Sequence, residues 1–214
     1  MARGANAAER FTAQDVGGSS LRFNNTATAG FVTTTDDSSF KTPMVTAFTS
    51  LMWVKLDKSF SDAGAANRFI AHGGASANVR FWELWGHNND NLLRARICNN
   101  ITNQTITGDN VVKTNEWILV GVTYSASTTF SIIHNDGLEG TTVPTVPLVD
   151  NGLDMWLASF NGAGSLLDCV IAYHVSIDQV MTAAQVSDFY YHGILPDGAT
   201  KLIEHKFDEG QGTT

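Results

Sequence analysis

Short runs of alternating apolar and polar residues, separated by turns rich in Gly, Asn, Asp and Ser, occupy most of this chain. A period of two is the signature of a strand with one buried face. The fullest run is Phe48-Thr49-Ser50-Leu51-Met52-Trp53-Val54-Lys55, rich in aromatic and apolar residues. Before it, short runs at residues 21–23 and 30–32 bracket an Asn/Thr-rich turn. After it, residues 67–71 lead into a turn at His72-Gly73-Gly74, and residues 79–85 alternate until Asn88-Asn89-Asp90-Asn91 breaks the pattern. Leu93, Ala95 and Ile97 then share one face, with Arg94, Arg96 and Cys98 on the other. Residues 117–124 and 129–134 read as two further strands, and Asp136-Gly137 marks a hairpin into the next run. Pro144 and Pro147 make residues 143–149 a loop or an edge. Residues 155–159 and 167–175 supply the last two apolar runs.

One segment switches period. Thr182 is placed to cap a helix, with Gln185 three residues on completing a capping box. Val186, Phe189 and Tyr190 form its apolar face, and Gly193 is its stop. Many short strands joined by polar turns predict an all-β, two-sheet antiparallel sandwich with one short helix near the C-terminus. No repeat and no linker divides the 214 residues. Residues 1–19 read as a polar N-terminal arm and residues 20–214 as a single domain, a length at which sandwiches often stay undivided. A polar arm is ordered only when something ties it down, so it is expected to dock on the body or on a neighbouring subunit.

Composition narrows the possibilities. The chain is 43% hydrophobic, 16% charged and carries a net charge of -8. An acidic chain without Lys/Arg clusters is a poor match for nucleic acid. No stretch is long and apolar enough for a membrane-spanning helix, so no membrane insertion is expected. The first twenty residues lack the apolar core of a secretory signal. Cys98 and Cys169 lie in strand-like runs and either pair or remain two buried thiols. Asn24, Asn100 and Asn103 open N-x-T sequons that read as chance matches without a signal. No G-x-S-x-G elbow, H-E-x-x-H helix or P-loop is present.

Several runs, in order, resemble one known family. Residues 161–193, NGAGSLLDCVIAYHVSIDQVMTAAQVSDFYYHG, are similar to the closing strand and capped helix of laminin-G-like, concanavalin-A-like jelly rolls. Residues 20–25 resemble that family's early "A-L-x-F-D-G" strand, residues 48–55 its "F-T-(I/L)-x-x-W-(V/I)-K" strand, residues 116–124 its "x-W-x-H-V-A-(V/A)-T-Y" strand, and residues 130–137 its "(L/F)-x-(I/L)-Y-x-(N/D)-G" hairpin. One phrase is out of place: FDEGQGTT, residues 207–214, usually opens such a domain and here closes the chain. Residues 200–214 are therefore expected to start a second repeat, to close the sheet in the usual place of a first strand, or to pair with a neighbouring molecule. The resemblance implies a jelly roll used mainly for binding sugars and other surfaces. It implies calcium as the ion, with Asp168 and more loosely Asp208 as ligands, and no other cofactor. Asp36-Asp37, Asp109-Asn110 and Asp150-Asn151 are alternative oxygen sets, though such residues are also ordinary turn formers.

The candidate ligand site follows from residue chemistry. Trp82, Glu83, Trp85, His87, Asn88, Asn89, Asp90 and Asn91 place rings, amides and carboxylates close together. Sugars stack on aromatic faces and exchange hydrogen bonds with such groups. Trp82 and Trp85 fall on opposite strand faces, so at least one belongs to the core. Arg94 and Arg96 either meet an acidic sugar, sit on a solvated face, or pair with carboxylates such as Glu83. Sandwich glycosidases need two carboxylates at a set separation; Glu83 has no partner on its strand face, so no catalytic residues are expected. The expectation is a non-catalytic binding or assembly module. Proteins of this fold usually act outside cells, which conflicts with the missing export signal. A phage-type virion surface protein, either capsid decoration or a receptor-binding fibre module, resolves the conflict, because it assembles inside the cell and then meets the outside. Its partners would be other subunits, held through residues 1–20 and 200–214, and surface glycans. A carbohydrate-binding module of a larger secreted, extracellular protein is the second expectation, and a polysaccharide-cleaving enzyme the third.

Overall fold

Alternation along the strand Ala47–Leu56 divides its side chains between two interiors. Phe48, Met52, Val54 and Leu56 enter a core between two sheets, while Leu51 and Trp53 enter a second, smaller core on the far side of their own sheet. The computed structural model describes residues 20–23, 32–35, 37–60, 67–73, 80–150, 152, 154–158 and 167–207. In chain order these form β1 (Leu21–Phe23), β2 (Val32–Thr34), α1 (Ser38–Met44), β3 (Ala47–Leu56), β4 (Asn67–Gly73), β5 (Arg80–Gly86), β6 (Leu92–Cys98) and β7 (Asn103–Val111). Then come β8 (Trp117–Ser125), β9 (Thr129–His134), β10 (Gly137–Thr142), β11 (Met155–Leu157), β12 (Cys169–Ile177), α2 (Ala183–His192) and β13 (Lys201–Lys206). One sheet runs β1-β12-β3-β8-β9-β10, with β13 also on β12; the other runs β2-β11-β4-β5-β6-β7. The pairings are antiparallel, giving a jelly-roll sandwich.

β1 and β13 share one edge of β12. Leu21–Phe23 lies against residues 169–171, and Lys201–Lys206 lies against residues 173–177. The first part of the segment expected to close or exchange a strand thus pairs with β12 of its own chain. Residues 208–214, and with them Asp208, lie outside the described residues, as does the arm at 1–19.

α2 forms as its sequence predicts. The Thr182 N–H donates to Gln185 Oε1 at 2.9 Å, the Gln185 N–H donates back to the Thr182 hydroxyl at 3.3 Å, and Gly193 closes the helix at φ 69°. Val186, Phe189 and Tyr190 cover Leu51, Trp53, Leu119, Ile133 and Val175, with Tyr190 stacked on Trp53 at 5.3 Å. This lid explains why β3, β8 and β12 are apolar on both faces, where an antiparallel sheet commonly wets one.

Two elements depart from the expectation. A second helix, α1, forms over SSFKTPM, a poor helical sequence containing Pro43. Asp37 caps it by accepting the Ser39 N–H at 2.7 Å, and Phe40 and Met44 anchor it in the main core. β7 escapes the sequence reading because, among the described strands, it pairs only β6, leaving a strand in which Ile106 and Gly108 alone are buried. Cys98 in β6 and Cys169 in β12 are both buried thiols, in different sheets.

Polar groups also cross the main core. His174 Nδ1 and His205 Nδ1 are 3.0 Å apart, and Ser50 and Thr34 bond the outer nitrogens at 3.1 and 3.3 Å. His72 lies among Phe40, Phe81 and Trp82 with neither ring nitrogen hydrogen-bonded.

Candidate functional site

The β5–β6 hairpin separates the residues that the sequence groups together. Trp82 points between the sheets, fully buried against Phe48 at 5.0 Å and His72 at 5.6 Å, so it is a core residue and not a ligand platform. Glu83 and Trp85 point the other way, yet both are buried. The Glu83 carboxylate lies 2.8 Å from Arg68 Nε and 3.2 Å from Arg96 Nη1. The same two guanidiniums lie over the Trp85 ring at 5.3 and 5.0 Å. Cation–π contact and a desolvated ion pair therefore reinforce one another, and taking away Glu83 alone would strand two charges.

The turn at 87–91 mostly builds itself. Asp90 accepts the Leu92 N–H at 3.1 Å and Arg94 Nη2 at 2.8 Å. Burial opposes its ionisation, but the Leu92 N–H and Arg94 outweigh it and hold the carboxyl below its ordinary range. Asn91, at φ 55°, accepts the Phe60 N–H with its side chain at 3.1 Å. His87 Nδ1 accepts the Asn89 N–H at 3.4 Å. Asn88 is half-buried and Asn89 exposed. Arg94 and Arg96 both meet carboxylates, one of the roles the sequence leaves open for them.

Asp168 meets the exposed Lys58 ammonium at 2.8 Å. Asp37 is the α1 cap, and Asp150 pairs with the buried Lys41 at 3.2 Å and accepts the Gly152 N–H. Asp36 and Asn151 lie outside the described residues. Among the described residues no three His, Cys, Asp or Glu side chains group as a metal site.

A different place gathers accessible polar chemistry. Where the end of β7, the start of β8 and the β9–β10 turn converge beside α2, a pocket of about 340 Å³ opens, lined by Asn110, Lys113, Glu116, Trp117, His134, Asp136 and Glu139 among others. Glu139 organises its floor. Its Oε2 accepts the N–H groups of Asp109 at 2.9 Å and Asn110 at 3.3 Å; its Oε1 accepts Asn110 Nδ2 at 2.6 Å and His134 Nδ1 at 3.0 Å. Four donors fill the capacity of a carboxylate. Burial opposes ionisation, but the His134 and Asn110 hydrogen bonds overcome it and bring the Glu139 carboxyl down to about 2. Gly108 makes this approach possible: a Cβ there would stand 2.6 Å from Glu139 Oε2. Trp117 is half-buried, Asp136 accepts the Tyr191 hydroxyl at 2.9 Å, and Glu116 and Lys113 are exposed.

Part of this was readable. His134 and Glu139 flank the Asp136-Gly137 turn, and the register Glu139↔Ile132 makes them diagonal neighbours on one sheet face. The contribution of Asp109 and Asn110 was not, because their strand was not recognised.

Residues 25–187 match the family described as the concanavalin A-like lectin/glucanases superfamily. The chain belongs to this superfamily. No curated protein sequence matches it. Among solved structures, the CBM40 domain of the Ruminococcus gnavus IT-sialidase, bound to α2,3-sialyllactose, is 12% identical at a TM-score of 0.60, over 80% of this chain and 96% of that one. The receptor-binding domain of the botulinum neurotoxin C/D mosaic serotype is 11% identical at a TM-score of 0.62, over 80% of this chain. The chain spans only 42% of that domain. A heptameric SAP-like pentraxin from Limulus polyphemus is 13% identical at a TM-score of 0.50, over 78% of this chain and 85% of that one. At such identities the likeness is one of fold, and this superfamily member's own chemistry has to be read from its own side chains.

Proposed function

We propose that this lectin-fold protein is a non-catalytic glycan-binding module whose ligand sits in the pocket of Trp117, His134 and Glu139. The observation that carries the reading is that pocket: accessible, of ligand size, with one indole wall and polar groups held in place before any ligand arrives. Trp117 offers a stacking surface, and Asn110, Asp136 and His134 offer hydrogen bonds to hydroxyls. The pocket's buried carboxylate supports binding over catalysis. Glu139 has its oxygens occupied and stays ionised, so it is a poor general acid, and Glu83 is tied between two arginines. The sialyllactose-bound and receptor-binding relatives support a recognition role for the fold.

The test is binding to a glycan array, followed by titration calorimetry of the best ligand. Trp117→Ala should weaken that ligand about tenfold, equivalent to about 1.4 kcal/mol, with the circular dichroism spectrum unchanged. A variant that folds and binds as tightly as the parent would remove the pocket from consideration.

For the biological setting we retain the surface of a virion, where such a module would meet host glycans. A carbohydrate-binding module of a larger secreted protein is the alternative, supported by the botulinum relative, whose domain is more than twice as long as the part this chain spans.

A further inference from the structure

We infer that the pocket selects an amino sugar, a glycan unit carrying an unsubstituted amine as its ammonium ion. The inference rests on reading this pocket as the glycan site and adds the class of sugar.

The charges lining the pocket are unequal. Glu116, Asp136 and Glu139 face a single ammonium, that of Lys113. Four donors hold the Glu139 carboxyl down at about 2, so it carries its negative charge at neutral pH. Three of those donors are neutral amides, which satisfy the carboxylate's lone pairs without cancelling its charge. A net charge of -8 on the chain adds to this potential.

The hydrogen-bond inventory points the same way. Several donors are already used inside the wall. Asn110 Nδ2 goes to Glu139, and His134 Nδ1–H, on a side chain 7% exposed, goes to the same carboxylate. What the lining offers a ligand includes the carboxylates of Glu116 and Asp136 and the Asn110 amide oxygen, against the donors of Lys113 and the Trp117 indole. The matching ligand group is therefore rich in donors and positively charged. An ammonium has three N–H donors and no acceptor, and the face of Trp117 attracts cations as well as sugar rings. An N-acetyl group would remove the charge and bring in a carbonyl acceptor. A uronate or a sialate would set an anion against three carboxylates. Ordinary hydroxyls, which donate and accept, account for sugar binding in general but not for a choice among sugars.

The experiment compares three oligosaccharides of equal length by titration calorimetry at physiological salt, chosen to screen loose polycation binding. They are a glucosamine oligomer with free amines, its fully N-acetylated form and an oligouronate. The parent should bind the amine form at least tenfold more tightly than the acetylated form and bind the uronate weakest. Asp136→Asn and Glu116→Gln should erase the preference for the amine, lowering the affinity of the amine form by far more than that of the acetylated form. Neither side chain is in the core, so folding is expected to survive, and a thermal melt checks it. Equal affinity for amine and acetylated forms, both lowered by Trp117→Ala, overturns the amino-sugar assignment and leaves the pocket a glycan site. Amine binding untouched by Trp117→Ala and by Asp136→Asn overturns both, marking diffuse attraction to an acidic surface. Tightest binding to the uronate, or binding of none of the three, also overturns the assignment.

Discussion

Glu139 shows how far a single residue's role depends on neighbours that are distant in the chain. Beside a hairpin turn, a lone glutamate is ordinarily a solvated group. Here Asp109 and Asn110, about thirty positions earlier, enclose it, and Gly108 leaves the room. Its depressed carboxyl has a defined consequence for stability. A group whose pKa falls on folding contributes fully above its ordinary value of 4.5, and the contribution is lost as pH falls from there toward about 2. Glu139→Gln should therefore lower the melting temperature at neutral pH by the cost of misdirected buried donors, about 1–3 kcal/mol. It should also flatten the loss of stability between pH 4.5 and 2, followed by thermal melts across that range. Equal acid sensitivity in both proteins would show that Glu139 is not the group responsible. The sequence reading of Trp82 and Trp85 fares unevenly at this scale. Alternation correctly required that at least one ring be core, but it could not show that Arg68, from β4, would help Arg96 cover the other.

Among elements, β13 is held from one side. Within its sheet it bonds only to β12, and its His205 meets His174 nitrogen to nitrogen. A neutral pair shares one N–H there; two imidazolium rings would turn N–H against N–H. His72 and the Lys41–Asp150 pair lie nearby, and burial is the main reason both members of the pair are held below the ordinary histidine range. The sign follows: the unfolded chain takes up these protons first, so β13 is secure above about 6.5 and loosens as pH falls below it. Hydrogen exchange should show amides 201–206 losing protection at pH 5.5 relative to pH 7.5 before those of β3 do. Uniform loss across the sheet, or none, would exclude a local latch. The elements that local pattern missed have a shared cause. α1 is held by Phe40 and Met44 against its own poor propensity, and β7 needs little apolar character because β6 supplies its pairing. In both, a tertiary contact replaces the local signal.

For the molecule as a whole, two cores rather than one carry the sandwich. α2 seals the outer core, and β1 and β13 divide one edge of β12 between them. The virion reading makes a prediction at this scale. Sedimentation equilibrium of the full chain should give an oligomer, and a deletion of residues 1–19 should shift it toward smaller species. A monomer at all concentrations would favour the free carbohydrate-binding module. Sequence by itself determined the class of fold, most of the strands, the capped helix and its stop, because alternation, capping and turn chemistry act over a few neighbouring residues. It determined the superfamily too, since those local signals recur in a characteristic order. Only the tertiary structure decided which candidate side chains reach solvent and which carboxylates are already satisfied. It alone brought Trp117, His134 and Glu139 to the lining of one pocket, away from the β5–β6 hairpin. Burial, hydrogen-bond capacity and electric field depend on what other strands bring to the same few ångströms, and a linear pattern does not carry that information.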